Sequence, residues 1–244
     1  MLSKLKMVKR CYVEPNVPVD GLDDLKVLLE EIFKSGFKVV FLTSSSIDRI
    51  KEIRNTRSRG RIFYRYDISL SGREKILKEL RRSRRKVEIL SVSCSKKDDM
   101  ILAARDRRVD IISLNEENMR YFTDSVAKFL KDSLKVVEIP LSPIIERRGM
   151  DRVRYLRDAR NVVRIALRRK VNVGLTLRPD DVMKVRSPKE VISLASLIDL
   201  SEDAAKKSIT ENPMNMLKEN LRKLSPSYVM PGVEVLNDEG HPKI

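Results

Sequence analysis

The chain is poor in the groups that carry most enzymatic chemistry. Its 244 residues hold one histidine, two cysteines, no tryptophan and eight glycines. The histidine, His241, sits in the terminal NDEGHPKI, far from any strand-like run, in a tail expected to be disordered. Hydrolases that activate water with transition metals gather several histidines around the ion, so this composition argues against a zinc or di-metal hydrolase. Serine and cysteine nucleophiles need an activating base, and none stands beside those present. Cys11 and Cys94 lack the spacing of a metal knuckle or redox pair and are expected to be reduced packing residues. No G-x-G-x-x-G or Walker-type loop follows a strand-like run, which speaks against nucleotide binding. No apolar run approaches the roughly 18 residues of a membrane span, and the opening MLSKLKMVKR has neither an apolar h-region nor a small-residue cleavage site. A cytoplasmic location without membrane contact is the expectation.

Negative charge is also short. Lys+Arg number 51 against 35 Asp+Glu, a formal net charge of +16. Charge used only for solubility or ion-pair networks keeps the two signs near balance, so the excess calls for an anionic partner. Aromatic residues are 5% of the chain, and no aromatic-rich strand of the RRM type occurs, which disfavours a stacking platform for single strands. Helix-turn-helix and finger patterns for reading a DNA groove are missing too. A folded RNA recognised through its backbone fits these absences best.

What is present is a rhythm. Strand-like runs occur at CYV near Cys11, KVVFLT from Lys38, RIFYRYDIS from Arg61, KVEILSVS from Lys86, VDIISL from Val109, KVVEIPLS from Lys135 and VNVGLTL from Val171. The spacing of about 25 residues is that of a βα unit, and near-continuous apolar strands imply parallel pairing with both faces covered. Between them, apolar stripes mark helices: Leu22, Leu25, Leu28, Leu29, Ile32 and Phe33, with Gly36 as C-terminal cap; Ile47, Ile50 and Ile53; Ile76, Leu77 and Leu80; and NMRYFTDSVAKFLKD, which groups Tyr121, Phe122, Val126 and Phe129. After Leu177 helices follow, with starts at Pro188, Ser201 and Pro213 and no eighth strand. The pattern predicts a single-domain α/β TIM-barrel-like fold over residues 1–224 with an irregular C-terminal end, then an extended tail, 225–244.

In such barrels chemistry sits at the carboxyl ends of the strands, here Glu14, Thr43, Ser44, Asp67, Ser91, Ser93, Cys94, Asn115, Glu138, Ser142, Thr176 and Arg178. Glu14, Asp67 and Glu138 could share a magnesium ion in a phosphoesterase, or each could pair with an arginine or lysine. No catalytic residue and no resident metal is assigned. Basic clusters stand at Arg81 to Lys86, Arg105 to Arg108, Glu146 to Arg160, Arg164 to Lys170, and in the segment bearing Arg178, Lys184, Arg186 and Lys189. Arginine dominates several of them, and its planar fork suits phosphate.

The succession AARDRRVDIISL, EIPLSPII, RKVNVGLTLR and VRSPKEVISLASLIDLSEDAAKKSITENPMNML resembles the ribonuclease P protein component 3 family, the archaeal relatives of the eukaryotic 30-kDa ribonuclease P subunit. The resemblance runs from about the first strand to Leu224 and is strongest between Arg105 and Leu217. It implies a barrel related to the PHP phosphoesterases without their metal site. It further implies a subunit of the ribonucleoprotein that removes the 5′ leader from precursor tRNA. In that family the RNA carries the catalytic magnesium ions and the protein has no cofactor of its own. The implied partners are ribonuclease P RNA, ribonuclease P protein component 2 and the other protein subunits, with precursor tRNA as substrate of the whole. Arg107 in RDRRVD and Arg186 in VRSPKE match the family's basic positions, and Lys170 matches more weakly. Clustering alone adds Arg105, Arg168, Arg169, Arg178 and Lys189 as RNA-binding candidates. A basic protein docking on an acidic protein partner is the other reading that the charge allows.

Overall fold

The computed structural model describes residues 11–22, 24–54, 56, 58–230 and 233–235; the opening MLSKLKMVKR and His241 lie outside them. Seven strands form one sheet in sequence order: β1 (Val13–Pro18), β2 (Val39–Ser44), β3 (Arg61–Ile68), β4 (Ile89–Val92), β5 (Ile111–Ser113), β6 (Val136–Pro140) and β7 (Asn172–Thr176). Every neighbouring pair is parallel. β1 and β7 come into contact without pairing in a ladder, so the sheet curls into a barrel with one open seam. The helices between are α1 (Leu25–Ser35), α2 (Ile47–Ile53), α3 (Arg73–Ser83), α4 (Lys97–Arg105), α5 (Asp124–Leu130), α6 (Ser142–Glu146) and α7 (Gly149–Arg168). After β7 come α8 (Pro188–Ala195), α9 (Glu202–Ser208) and α10 (Glu211–Leu224), then an antiparallel pair, β8 (Tyr228–Met230) with β9 (Val233–Glu234).

Period-two alternation divides each strand between two cores. Val40, Leu42, Tyr64, Leu90, Ile112, Val137 and Leu175 face outward and pack under the helices with Leu28, Leu29, Ile32, Ile50, Ile76 and Leu80. Val13, Val39, Phe41, Phe63, Ile89, Ile111 and Val136 face inward. This inner set lies toward the amino ends of the strands, and Met214, Met216 and Leu217 of α10 join it, so α10 plugs that end of the barrel. Phe41 and Phe63 meet edge to face at 6.4 Å.

The α9–α10 corner takes the place of an eighth strand at the seam. Val13 donates its N–H to the carbonyl of Ile209 at 2.8 Å, and the Asn212 amide donates to the carbonyl of Val173 at 2.8 Å. Backbone groups that a ladder would pair are thus met from a helix, which explains why the sheet stops at seven strands. The SPKE stretch is a capping box: the Ser187 hydroxyl accepts from the N–H of Glu190, and the Glu190 carboxylate accepts from the N–H of Ser187 at 2.7 Å, with Pro188 at the first helical position. α9 begins after Ser201 as its spacing predicts, and Gly36 ends α1 at φ 120°.

One helix differs from its sequence pattern. NMRYFTDSVAKFLKD is broken at Thr123, whose extended backbone separates a 3-10 turn over Met119–Tyr121 from α5. Phe122 and Val126 are buried, but Phe129 lies on the outer face, 43% exposed, with the Arg105 guanidinium 5.2 Å from its ring centre. The break rotates α5 relative to the turn before it, so the four residues no longer share a face.

Asn212→Ala removes the side chain that satisfies Val173 and should cost about 1 kcal/mol of stability, read as a lowered urea midpoint. An unchanged midpoint would show that the seam is held by packing alone.

Candidate functional site: the barrel interior and the basic surface

Toward the carboxyl ends of the strands the barrel interior turns polar, and its centre is an arginine. Arg65 follows Phe63 inward on β3 and is fully buried. Its Nε donates to Asp67 Oδ1 at 2.7 Å, Nη1 donates to the carbonyl of Pro15 at 2.8 Å and to Glu138, and Nη2 donates to Ser91 Oγ and Glu138 Oε1, each at 3.0 Å. Glu138 is held further by Asn16 Nδ2 at 2.9 Å and Ser113 Oγ at 3.1 Å. Burial opposes the Arg65 charge, but Asp67 and Glu138 outweigh it and hold the guanidinium firmly protonated.

The strand-end carboxylates divide into a pair and a single group. Asp67 and Glu138 pair with Arg65, while Glu14 stands apart and accepts a hydrogen bond from Thr176. Burial pushes the Glu14 carboxyl up to about 8, with Thr176 opposing and Glu138 adding to the rise. A neutral carboxyl and two carboxylates already neutralised by a guanidinium make a poor cage for a hard dication. Among the described residues no group of three or more His, Cys, Asp or Glu is placed to hold a metal.

The other strand-end groups are spent locally. Ser44 donates to Asp20 at 2.6 Å, Asn115 accepts from the N–H groups of Glu117 and Asn118, and Ser93 accepts from Asn118. The Cys94 thiol is buried and pushed up to about 12, first by desolvation and then by Asp99. It is inert as a nucleophile.

The basic clusters sort into structural and free cations. Arg84 reaches Asp110 at 2.6 Å, Arg108 reaches Asp106 at 2.6 Å, and Lys135 donates to the carbonyls of Ala103, Ala104 and Asp106 at the end of α4. Arg107 lies exposed in the turn between them, without a hydrogen bond or ion pair among the described residues. Lys170 and Arg178 stand at opposite ends of β7, both at positive φ, 55° and 48°, and their side chains are likewise unengaged. Lys189 is exposed beside the capping box. Arg105 covers Phe129. Arg168 and Arg169 share Asp124, and these donors, Arg169 first, hold its carboxyl down at about 2. Arg186 is partly committed, donating to the carbonyls of Met183 and Val185.

The eight predicted residues therefore do not converge. Arg105 and Arg107 precede β5, and Arg168, Arg169 and Lys170 precede β7, so these five lie at the amino end of the barrel. Arg178 follows β7 at the carboxyl end, and Pro188, next to Lys189, packs against Gly36 at the end of α1.

One named cluster takes a definite shape on α7, and one basic stretch, before β3, was passed over in the sequence. Arg154, Arg157, Arg160, Arg164 and Arg168 recur every three or four residues along the exposed side of α7 and span about 21 Å at ~1.5 Å rise per residue. The run RNTRSRG precedes β3, and its described Arg59 is exposed. The α7 arginines are each engaged, by Asp151, Asp158, Asp199, Asn161 and Asp124 in turn, and a charge window would have found the stretch before β3.

Two outcomes follow from the interior. An unfolded chain ionises Glu14 above its ordinary 4.5, whereas the folded barrel keeps it protonated to about 8. Each pH unit between those values then favours unfolding by about 1.4 kcal/mol from this residue, a cost absent below the window and complete above it. Glu14→Gln should flatten that slope in denaturant melts from pH 5 to 9. Arg65→Met should cost about 3–5 kcal/mol by leaving buried carboxylates unpaired, and adding Glu138→Gln should recover part of it. A mild single variant would mean that water replaces the guanidinium.

The family described as RNase P subunit p30 matches residues 11–224 of the chain. Ribonuclease P protein component 3 of Methanosarcina acetivorans is 31% identical over 140 residues, covering 56% of this chain and 57% of that protein. The same component of Methanosarcina barkeri is 28% identical over 161 residues, 64% of each chain. The aligned stretches thus span little more than half the length of these relatives. Among solved structures, a chain of archaeal ribonuclease P with mature tRNA superposes at a TM-score of 0.76, with 16% identity, over 93% of this chain and 99% of that one. Histidinol phosphate phosphatase of Lactococcus lactis, complexed with zinc, L-histidinol and phosphate, reaches 0.50 with 9% identity over 86% and 93%. At such identities the likeness is one of fold alone. A match to all but the ends of the chain assigns the family: this protein belongs to the RNase P subunit p30 family.

Proposed function

We propose that the chain is a protein subunit of ribonuclease P, working in the cytoplasm with ribonuclease P RNA, protein component 2 and the other protein subunits on precursor tRNA. The observation that carries this reading is a division of labour within one barrel. The interior, where a related enzyme would work, is filled by the Arg65 network, while free cations such as Arg107, Lys170, Arg178 and Lys189 ring the outside.

The mechanism is electrostatic. Phosphates crowded in a folded RNA repel one another, and fixed guanidinium and ammonium groups reduce that repulsion so that the RNA folds at lower magnesium concentration. The magnesium ions of the reaction are carried by the RNA, and the protein holds no cofactor itself. Arg107, Arg178 and Lys189 contact phosphate directly, with Lys170 at the same end of the barrel as Arg107. Arg105, Arg168 and Arg169 keep their protein contacts and add to the local field. Arg186 first fixes the turn over Val182–Lys184 and offers its remaining N–H groups outward.

The test is cleavage of precursor tRNA by the cognate RNA and its other protein subunits, with and without this chain. Activity gained only in the complete mixture supports the proposal; cleavage by the chain alone would overturn it. In RNA binding, Arg107→Gln with Lys189→Gln should lower the magnitude of the log-salt slope by about 1.4–1.8, at ~0.7–0.9 per phosphate neutralised, with an unchanged thermal midpoint.

A further inference from the structure

A groove of about 470 Å³ opens at the amino ends of β2 and β3, between α1 and the residues that lead into β3. Its size falls within the roughly 300–1,000 Å³ of small-ligand pockets. The floor is apolar: Leu29 and Phe37 are buried, and Phe33 is partly exposed. Gly60 packs directly on the Phe33 ring, where a Cβ would lie 2.0 Å from Cε1, so no other residue fits without moving the ring. Held in this way, Phe33 turns the rest of its surface to the groove as a fixed aromatic wall.

The rim is strongly one-signed. Lys26, Lys34, Lys38 and Arg59 line it against a single carboxylate, Glu30. Glu30 is matched with Lys34 at 4.0 Å, which leaves the side chains of Lys26, Lys38 and Arg59 without a hydrogen bond or ion pair among the described residues. Unpaired cations around an aromatic wall suit a ligand that is flat and apolar on its face and anionic along its edge. A metabolite phosphate alone would leave the apolar floor unused, and an acidic peptide lacks the planar face.

We propose that this groove takes an unpaired nucleotide of a bound RNA, its base against Phe33 and its flanking phosphates on Lys26, Lys38 and Arg59. The inference rests on the reading of the chain as an RNA-binding subunit and deepens it by naming a single-stranded element. One such contact needs one aromatic residue rather than a sheet of them, so the scarcity of aromatics does not oppose it.

The test uses the full chain with three probes: hexauridylate, an abasic hexamer with the same phosphates, and hexaglutamate. Hexauridylate should bind more tightly than either of the others. Phe33→Leu, which keeps the floor apolar, should weaken hexauridylate roughly ten-fold and leave the abasic hexamer unchanged. Lys26→Gln with Lys38→Gln, both on exposed side chains, should lower the magnitude of the salt slope by about 1.4. A 5-iodouridine hexamer should cross-link at Phe33. Equal binding of hexauridylate and the abasic hexamer, equal binding of hexaglutamate, or cross-links confined to other elements would each overturn the groove assignment. If the chain binds folded ribonuclease P RNA but not hexauridylate, the groove fails and the subunit reading stands; binding to neither RNA removes both.

Discussion

A fully buried guanidinium at the centre of a parallel barrel is the interaction on which the rest of this structure depends. Arg65 cannot be hydrated where it sits, so its N–H groups must all find acceptors within the barrel. They find them on β1, β3, β4 and β6, through Pro15, Asp67, Ser91 and Glu138. One side chain therefore ties together strands far apart in sequence. It also fixes Glu138, which in turn collects Asn16 and Ser113. The polar layer built in this way differs in kind from the apolar layer below it, where Phe41, Phe63 and the methionines of α10 simply fill space. Hydrophobic burial stabilises the amino end of the barrel, and directional bonding specifies the carboxyl end.

The same guanidinium sets the charge state of the barrel interior. Carboxylates at strand ends become catalytic by holding a metal or by exchanging protons with a substrate. Here Asp67 and Glu138 are neutralised by a cation that is part of the chain, and Glu14 keeps its proton because its ionisation would have to occur without water or a nearby positive partner. Polar residues remain inside, but their bonds end on one another. The interior contributes one arginine against two carboxylates, so the excess of positive charge among the described residues lies on the outer surface.

Much of the fold could be read from residue order. Seven apolar runs at βα spacing became seven parallel strands, and Ser187-Pro188 and Ser201 mark helix starts because capping is local chemistry that requires particular residues at particular offsets. Long-range pairings were less legible. Arg65 stands in RIFYRYDIS at the same parity as Phe63 and Asp67, so alternation alone points it inward, yet nothing in that stretch names Glu138 as its partner 73 residues away. The seam is harder still. Asn212 looks like a helix-start residue in ENP, and its bond to Val173 exists only because the barrel lacks a strand. Phe129 misled because hydrophobicity was counted through Thr123, where the backbone leaves the helix. For the cations, clustering in sequence overstated clustering in space, since charge runs at helix ends are divided between the dipole, local carboxylates and solvent.

That division bears on how a basic subunit can act on RNA. Lys170 and Arg178 bracket β7, whose five residues alone span about 13 Å at ~3.3 Å per residue of strand. The Debye length near physiological ionic strength is about 8 Å. Charges so far apart do not add into one field at a single phosphate. In the proposed role they would serve as independent anchors, as would the cations at the groove beside α1. A protein with its positive charge gathered in one patch would grip one turn of RNA tightly and leave the remainder free. Anchors spread around a rigid barrel instead fix the distances between phosphates from different segments of the RNA. On the proposed function, a barrel tied across β1, β3, β4 and β6 by its buried ion network would convert many individually weak and salt-sensitive contacts into a constraint on RNA shape.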